Sequence, residues 1–533
     1  MAEEAAAKVL ALRKDNSQLE PLKHSAREYI RDGVYYNREA PIPPQCYTRT
    51  EGKHNPCYVC HQTYSDKNRP NFAYDGALQG SYEFSEIGLT NSWRNLFLDK
   101  SEALAALSDQ TVDAYVDEDN YSPLVEWMKS DAWQGEVLAL QGLEDGAAAF
   151  DEAGLAKDGS RWVAFNYKPF PSTFWPTNGS TDDTMIRLAE KFSSKDGEYC
   201  QDVYFTNLAL LELAFSEQEL TTVRPLSELI VGVDFNCDGL LNKEVTPIRA
   251  RKSYVGDAND VAVARMLYPE GTAFLHTVRY LDVAADGTIT PSRRMKEVRY
   301  MKKQRFLSEA QLRSLYYAEH KEKHFEALPK HRSMGVRGTS NTLGWLLLGF
   351  IEDEKGVLRR QHPEEEFACT GCHKAIGSTL DQTFSFPRKV VGADGWGYLD
   401  LKKQKDVPSH GEEQGEFLTY LERVGGGDEF RQNQEMQRKF FREDGSVDRE
   451  AVMRVADLYE MLVPSAQRAR QLNKAYLSLV RSQEFIFGRD AVLAPPKNVL
   501  LKVDNVDEPL RDEHRYEYDI RLNWHQAIAK RGK

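Results

Sequence analysis

Read by the spacing of its apolar positions, the chain is helical at both ends and mixed in the middle. Helical spacing covers about Ala5–Leu12 and Pro21–Asp32, then Ser101–Leu107 and Ser122–Leu138. Between about 160 and 305 the texture changes. Arg161–Tyr167 and Leu229–Asp234 read as strands, and Met185–Phe192 and Thr206–Phe215 as helices. Thr277–Val283 and Glu297–Lys303 are spaced to pair as a hairpin around Ala285-Asp286-Gly287, where Asp-Gly favours a turn. From Leu307 the helical pattern returns over Ser308–His324, Leu343–Ile351, Gly415–Val424, Gln432–Phe441, Arg449–Met461 and Ser465–Gln483. A short apolar strand at Val499–Val503 precedes a charged tail.

Two runs stand out from this pattern: Cys57-Tyr58-Val59-Cys60-His61 and Cys369-Thr370-Gly371-Cys372-His373. A Cys-x-x-Cys-His run places two sulfurs along one edge of a porphyrin for thioether attachment and offers the following His to the iron. Two such runs in one chain are strong against chance. The alternative is a four-cysteine zinc site built from Cys57, Cys60, Cys369 and Cys372, but such a site has no use for a His after each pair. A thioredoxin-like pair lacks its βαβ setting.

On these motifs the chain resembles dihaem c-type cytochromes, with the bacterial dihaem cytochrome c peroxidases as distant relatives in kind. The resemblance implies two haem c groups, attached through Cys57, Cys60, Cys369 and Cys372, with His61 and His373 as proximal iron ligands. The motifs here are more widely separated than in those peroxidases. The fold expected is mainly α with an α/β insertion: loop-rich, cytochrome c-like helical haem domains. The domains expected are a helical arm over 1–45, a first haem segment over 46–160, the mixed insertion over 161–305 and a second haem domain over 306–533.

A sixth ligand would be Met or His. Met436 and Met128 follow the two motifs at a suitable interval and are the distal candidates, with His54, His331, His362, His410 and Met334 behind them. Of the two sites, the first is the one expected to be reactive. Asp234-Phe235-Asn236-Cys237-Asp238-Gly239 matches the first half of an EF-hand loop, so calcium is a candidate cofactor on Asp234, Asn236, Asp238, Asn242 and the Leu240 carbonyl. The loop lacks its bidentate acid, because Val245 stands at the twelfth position. Three cysteines lie outside the haem motifs, and Cys200 with Cys237 is the pairing expected in an oxidising compartment.

With 41% hydrophobic and 28% charged residues over 533 positions, the composition is that of a folded protein of several domains. The net charge of −13 argues against nucleic acid as a partner. No apolar run is long enough to span a membrane. The expected setting is the periplasm or cell surface, on a chain whose leader is absent. The expected activity is electron transfer to a redox partner protein. The alternative is a dihaem oxidoreductase acting on a small molecule at one open haem.

Overall fold

The computed structural model describes residues 37–524, apart from 64–68, 71–74, 81–83, 173–174, 326, 427–432 and 505–506. The helices expected at Ala5–Leu12 and Pro21–Asp32 lie outside the described residues.

The strands are β1 Val163–Ala164, β2 Thr181–Arg187, β3 Ser194–Lys195, β4 Glu198–Tyr199, β5 Leu220–Leu226, β6 Val245–Arg249, β7 Ala273–Val283, β8 Ile289–Lys303, β9 Arg332–Ser333, β10 Thr339–Ser340, β11 Trp345–Glu352 and β12 Leu358–Arg360. Eight of them form one antiparallel sheet in the order β1-β2-β7-β8-β11-β10-β9, with β12 on β11. This sheet is the organising layer, which corrects the expectation of a mainly α protein.

The hairpin read around Asp286-Gly287 is present as β7–β8 and is longer than its sequence pattern suggested. Several strands were not legible in the sequence, β11 and β2 among them. β11 (Trp-Leu-Leu-Leu-Gly-Phe-Ile-Glu) is buried at every position, so it has no alternation. A short strand covered on both faces reads as a continuous apolar run and cannot be told from a helix by period. β2 begins Thr-Asp-Asp-Thr, polar yet buried, and only its end had been read, as a helix. Conversely, Glu228–Val231 is a short helix where a strand was expected. The helices Gln201–Phe215, Glu309–His324, Glu416–Val424, Gln434–Phe440 and Ala466–Ser482 fall close to their expected places. The single helix read over Arg449–Met461 is two, broken after Arg454.

Strand register separates two faces of the sheet. On one, Met185, Leu275, Tyr300 and Leu348 lie in a row, with Val298 and Phe350 beyond. They pack on Tyr121, Leu124 and Val125 of the helix Tyr121–Lys129. On the other face, Ile186, Phe274, Met301 and Leu347 form an apolar row inside the core that includes the helix Gln201–Phe215. The next rows on that face are polar: Thr184, His276, Arg299 and Gly349, then Asp182, Val278 and Glu297.

The polar rows are held by charge pairing. Glu297 accepts from Arg299 at 2.8 Å, from Gln361 at 3.0 Å and from Arg489 at 3.2 Å. Burial alone would raise its pKa, but the two guanidiniums outweigh burial and hold it at about 2. A carboxylate held below its ordinary value of 4.5 contributes stability that is complete above that pH. The contribution is lost as pH falls from 4.5 through about 2. Acid titration of the folded protein should therefore show a destabilising limb in that window, which Glu297→Gln flattens; an unchanged limb would refute the assignment. Phe350, fully buried beneath Trp133, provides a second check. Phe350→Ala should lower unfolding stability by about 3–5 kcal/mol in denaturant melts.

Candidate functional site

The two Cys-x-x-Cys-His runs lie against each other. In the first, Cys57–Val59 is a single 3-10 turn, and the amides of Cys60 and His61 donate to the Cys57 carbonyl at 3.1 and 2.9 Å. The second closes the helix Pro363–Cys372, whose start is set by Pro363 in the first turn and a capping box between His362 and Glu365. There the His373 amide donates to the Cys369 carbonyl at 2.9 Å. The same His-to-Cys backbone bond thus gathers two sulfurs and an imidazole on one turn at both sites.

The turns are tied together. The Ser378 amide donates to the Cys60 carbonyl at 3.1 Å. Asp75 accepts from the Gln62 amide at 3.1 Å, from the Gly377 amide at 3.2 Å and from His61 Nδ1 at 3.2 Å. Burial would raise the Asp75 pKa; Lys323, 3.6 Å away, and His61 reverse this and hold it below the usual carboxylate range.

Each motif borders its own cavity, and Pro43, Cys60 and Cys372 line both. The first, of about 170 Å³, takes Cys46, Cys57, His61, Lys323 and Lys374 into its wall. The second, of about 320 Å³, takes Cys369, His373 and the polar rows of the sheet. That size lies at the lower end of small-molecule sites, roughly 300–1,000 Å³.

The imidazoles are oriented alike. His61 Nδ1 faces Asp75, and His373 Nδ1 faces the Gln382 carbonyl at 2.8 Å. Each ring keeps Nε2 for other use. Burial pushes the His373 pKa down to about 4, so its ring is neutral. The thiols are pushed up, Cys60 by burial and then by Cys372, Cys46 and Cys57, and Cys372 to about 11 by burial and then Cys369. Protonated buried thiols are poor metal or exchange partners by themselves.

Several expectations change here. All seven cysteines are free thiols, so the Cys200–Cys237 disulfide does not form; Cys200 precedes the helix Gln201–Phe215 and Cys237 is exposed in a turn. Among the described residues no three His, Cys, Asp or Glu side chains converge to hold a metal ion. That removes the zinc alternative. In the Asp234 loop the Asp234 carboxylate accepts the amides of Cys237, Asp238 and Gly239, while Asp238 accepts from Asn236, the Leu240 amide and Asn242. Its oxygens stitch the turn.

Met128 packs with Tyr121 and Trp133, and Met436 with Phe417 and Phe440; neither lines a cavity. His331 lies tilted against the Phe367 ring, His410 pairs with Glu217, and His54 and Met334 also lie outside both linings. Unforeseen at the second cavity are His276, Asp182, Arg299 and Tyr167. Alternation along β7 does place Phe274, His276 and Val278 on one face, but no sequence signal says that this face meets the second motif.

Haem asks the protein for only one or two axial ligands, since the porphyrin supplies four nitrogens. The residues present fit that demand. A neutral imidazole whose other nitrogen meets an acceptor is the usual arrangement of a ligating His. At both motifs, two thiols border the same cavity as that imidazole.

Thiol reactivity checks the local electrostatics. Alkylation of the protein at mildly alkaline pH, mapped by mass spectrometry, should mark exposed Cys237 well before Cys46, whose thiol burial pushes up. Equal rates would refute the half-buried placement of Cys46.

Comparison with known proteins gives a family and not a cytochrome. The model of a family described as "-like lipoprotein" matches residues 30–457. An uncharacterized lipoprotein of Aquifex aeolicus is 32% identical over 553 aligned positions, covering 91% of this chain and 92% of its own. No solved structure matches. The resemblance to dihaem cytochromes and their peroxidase relatives rested on two five-residue runs and is corrected at the family level by a match along most of the chain. On that match, the chain belongs to this lipoprotein family.

Proposed function

We propose that this lipoprotein-family chain carries two covalently attached haem groups, one per Cys-x-x-Cys-His turn, and transfers electrons between them and a redox partner protein. The observation that supports this best is the pair of motif turns packed on one another, with two cavities sharing Pro43, Cys60 and Cys372. Electron transfer favours centres separated by a thin protein wall, and the shared residues would be that wall.

Cys57 and Cys60 would attach one group and Cys369 and Cys372 the other, with His61 and His373 as axial donors. When bound, haem supplies a one-electron couple whose potential follows axial ligation, burial and hydrogen bonding. The chain's part is to fix both imidazoles through Asp75 and the Gln382 carbonyl, to exclude water, and to place Lys323, Lys374, Arg299 and Arg489 as cations in the walls for propionates. Covalent attachment of this kind and the lipoprotein family both fit an exported protein in the periplasm or at the cell surface. No described helix is long and apolar enough to cross a membrane.

The test is expression in a host that exports and matures c-type haem proteins. Acid-denatured, solvent-extracted protein should retain two haems per chain by pyridine haemochrome and intact mass. Cys57→Ala with Cys60→Ala should remove one, and Cys369→Ala with Cys372→Ala the other. Protein that loses all haem on extraction would overturn the proposal.

A further inference from the structure

The segment that follows the helix Glu309–His324 carries a charge pattern opposite to that of the whole chain. Between Ala327 and Arg337 stand Lys330, Arg332 and Arg337 and no acid, in a chain of net charge −13. All three cations are exposed. Glu322, on the preceding helix, pairs with Lys330 at 3.1 Å, an exposed contact that contributes little. Neither Arg332 nor Arg337 enters an ion pair among the described residues. Val336, 42% exposed, stands between them in the turn.

The strip is held in one shape. β9 and β10 pair Arg332 with Ser340 and Ser333 with Thr339. Gly338 turns the chain at a φ of +102°, where a Cβ would collide with the Leu347 carbonyl. The same hairpin is fastened to the second motif. The Lys374 ammonium, next to His373, donates to the Lys330 carbonyl. The His331 ring centre lies 4.0 Å from that of Phe367, on the motif helix. The Thr339 hydroxyl donates to Glu366, and the Asn341 side-chain amide donates to the His373 carbonyl at 2.9 Å. Just before the strip, Ala327, Leu328 and Pro329 wall the first cavity. The exposed cations therefore sit within a few residues of both motif sites.

We propose that this hairpin, through Arg332, Val336 and Arg337, is the docking surface for the redox partner protein, which presents acidic side chains around an apolar centre. This rests on the haem reading above. An acidic partner is repelled by a chain of charge −13 as a whole and attracted at this strip, so the charge pattern selects one orientation. Docking there sets the partner against the Phe367 helix and the wall of the first cavity.

Flavodoxin hydroquinone, an acidic one-electron donor, is mixed with the oxidised holoprotein by stopped flow over a range of salt. Reduction should slow as salt rises, because ions screen attraction between exposed charges. Arg332→Glu with Arg337→Glu should slow it by about ten-fold at low salt and flatten the salt dependence, with two haems per chain retained. Arg332→Gln with Arg337→Gln should fall between. Lys243→Glu with Lys252→Glu makes the same change of net charge at exposed positions elsewhere and should leave the rate near that of the unaltered chain. Loss of all haem on extraction overturns both proposals. Retained haem with equal rates in the two double-glutamate variants overturns this one alone. So does sedimentation with phosphatidylglycerol vesicles that Arg332→Glu with Arg337→Glu abolishes, since the strip would then face a membrane.

Discussion

One buried carboxylate holds the candidate site together. Asp75 reaches the first motif through His61 Nδ1 and the Gln62 amide, and the segment after the second motif through the Gly377 amide. Charged hydrogen bonds of this kind are roughly twice as strong as neutral ones, and here several converge on a group that burial would otherwise neutralise. Lys323 supplies the balancing charge. The contact is possible only because position 377 is glycine: a Cβ there would collide with Asp75 and with the backbone of Gln62. The relative placement of both cavities depends on this clamp, because it fixes the turn that carries Cys60 against the segment that follows Cys372.

The sheet supplies the other boundary. It is covered on both faces, so its polar rows had to be paired or put to use. Most are paired: Asp183 with Arg279, Glu352 with Arg294 and Tyr280, Glu297 with Arg299 and Arg489. Such buried pairs add little net stability over apolar packing, yet losing one partner is costly. Their value lies in keeping a rigid polar surface under a cavity.

What was legible in the sequence follows from how local each signal is. The motif turns need only five residues and a backbone bond from His to Cys, and they are where the spacing put them. The β7–β8 hairpin and the amphipathic helix Ala466–Ser482 carry their own period and turn residues. β11 was unreadable because burial on both faces erases alternation, and Thr181-Asp182-Asp183-Thr184 because its polar residues are satisfied only by partners far along the chain, such as Arg279 and Tyr398. The distal candidates failed for a related reason. Interval from the motif selected Met128 and Met436, but a methionine buried among aromatics is good packing wherever it falls. His276 reaches the cavity only through strand register, which a single sequence does not display.

The two sites look equivalent as motifs and are not equivalent as surroundings. The first cavity is walled by Pro41, Ile42, Pro43, Leu78 and Leu328, with lysines in the same lining. Its imidazole leans on a carboxylate, which makes a ligating His more basic. The second is walled by a sheet face that mixes Phe274, Val278, Met301 and Leu347 with Asp182, His276, Glu297 and Arg299, and its imidazole leans on a neutral carbonyl. A carboxylate partner favours the more oxidised, more positive state of a bound centre; a neutral partner with arginines nearby favours the reduced one. If the two turns carry haem as proposed, that difference would give the pair a direction, with electrons passing from the first site to the second across the wall of Cys60 and Cys372.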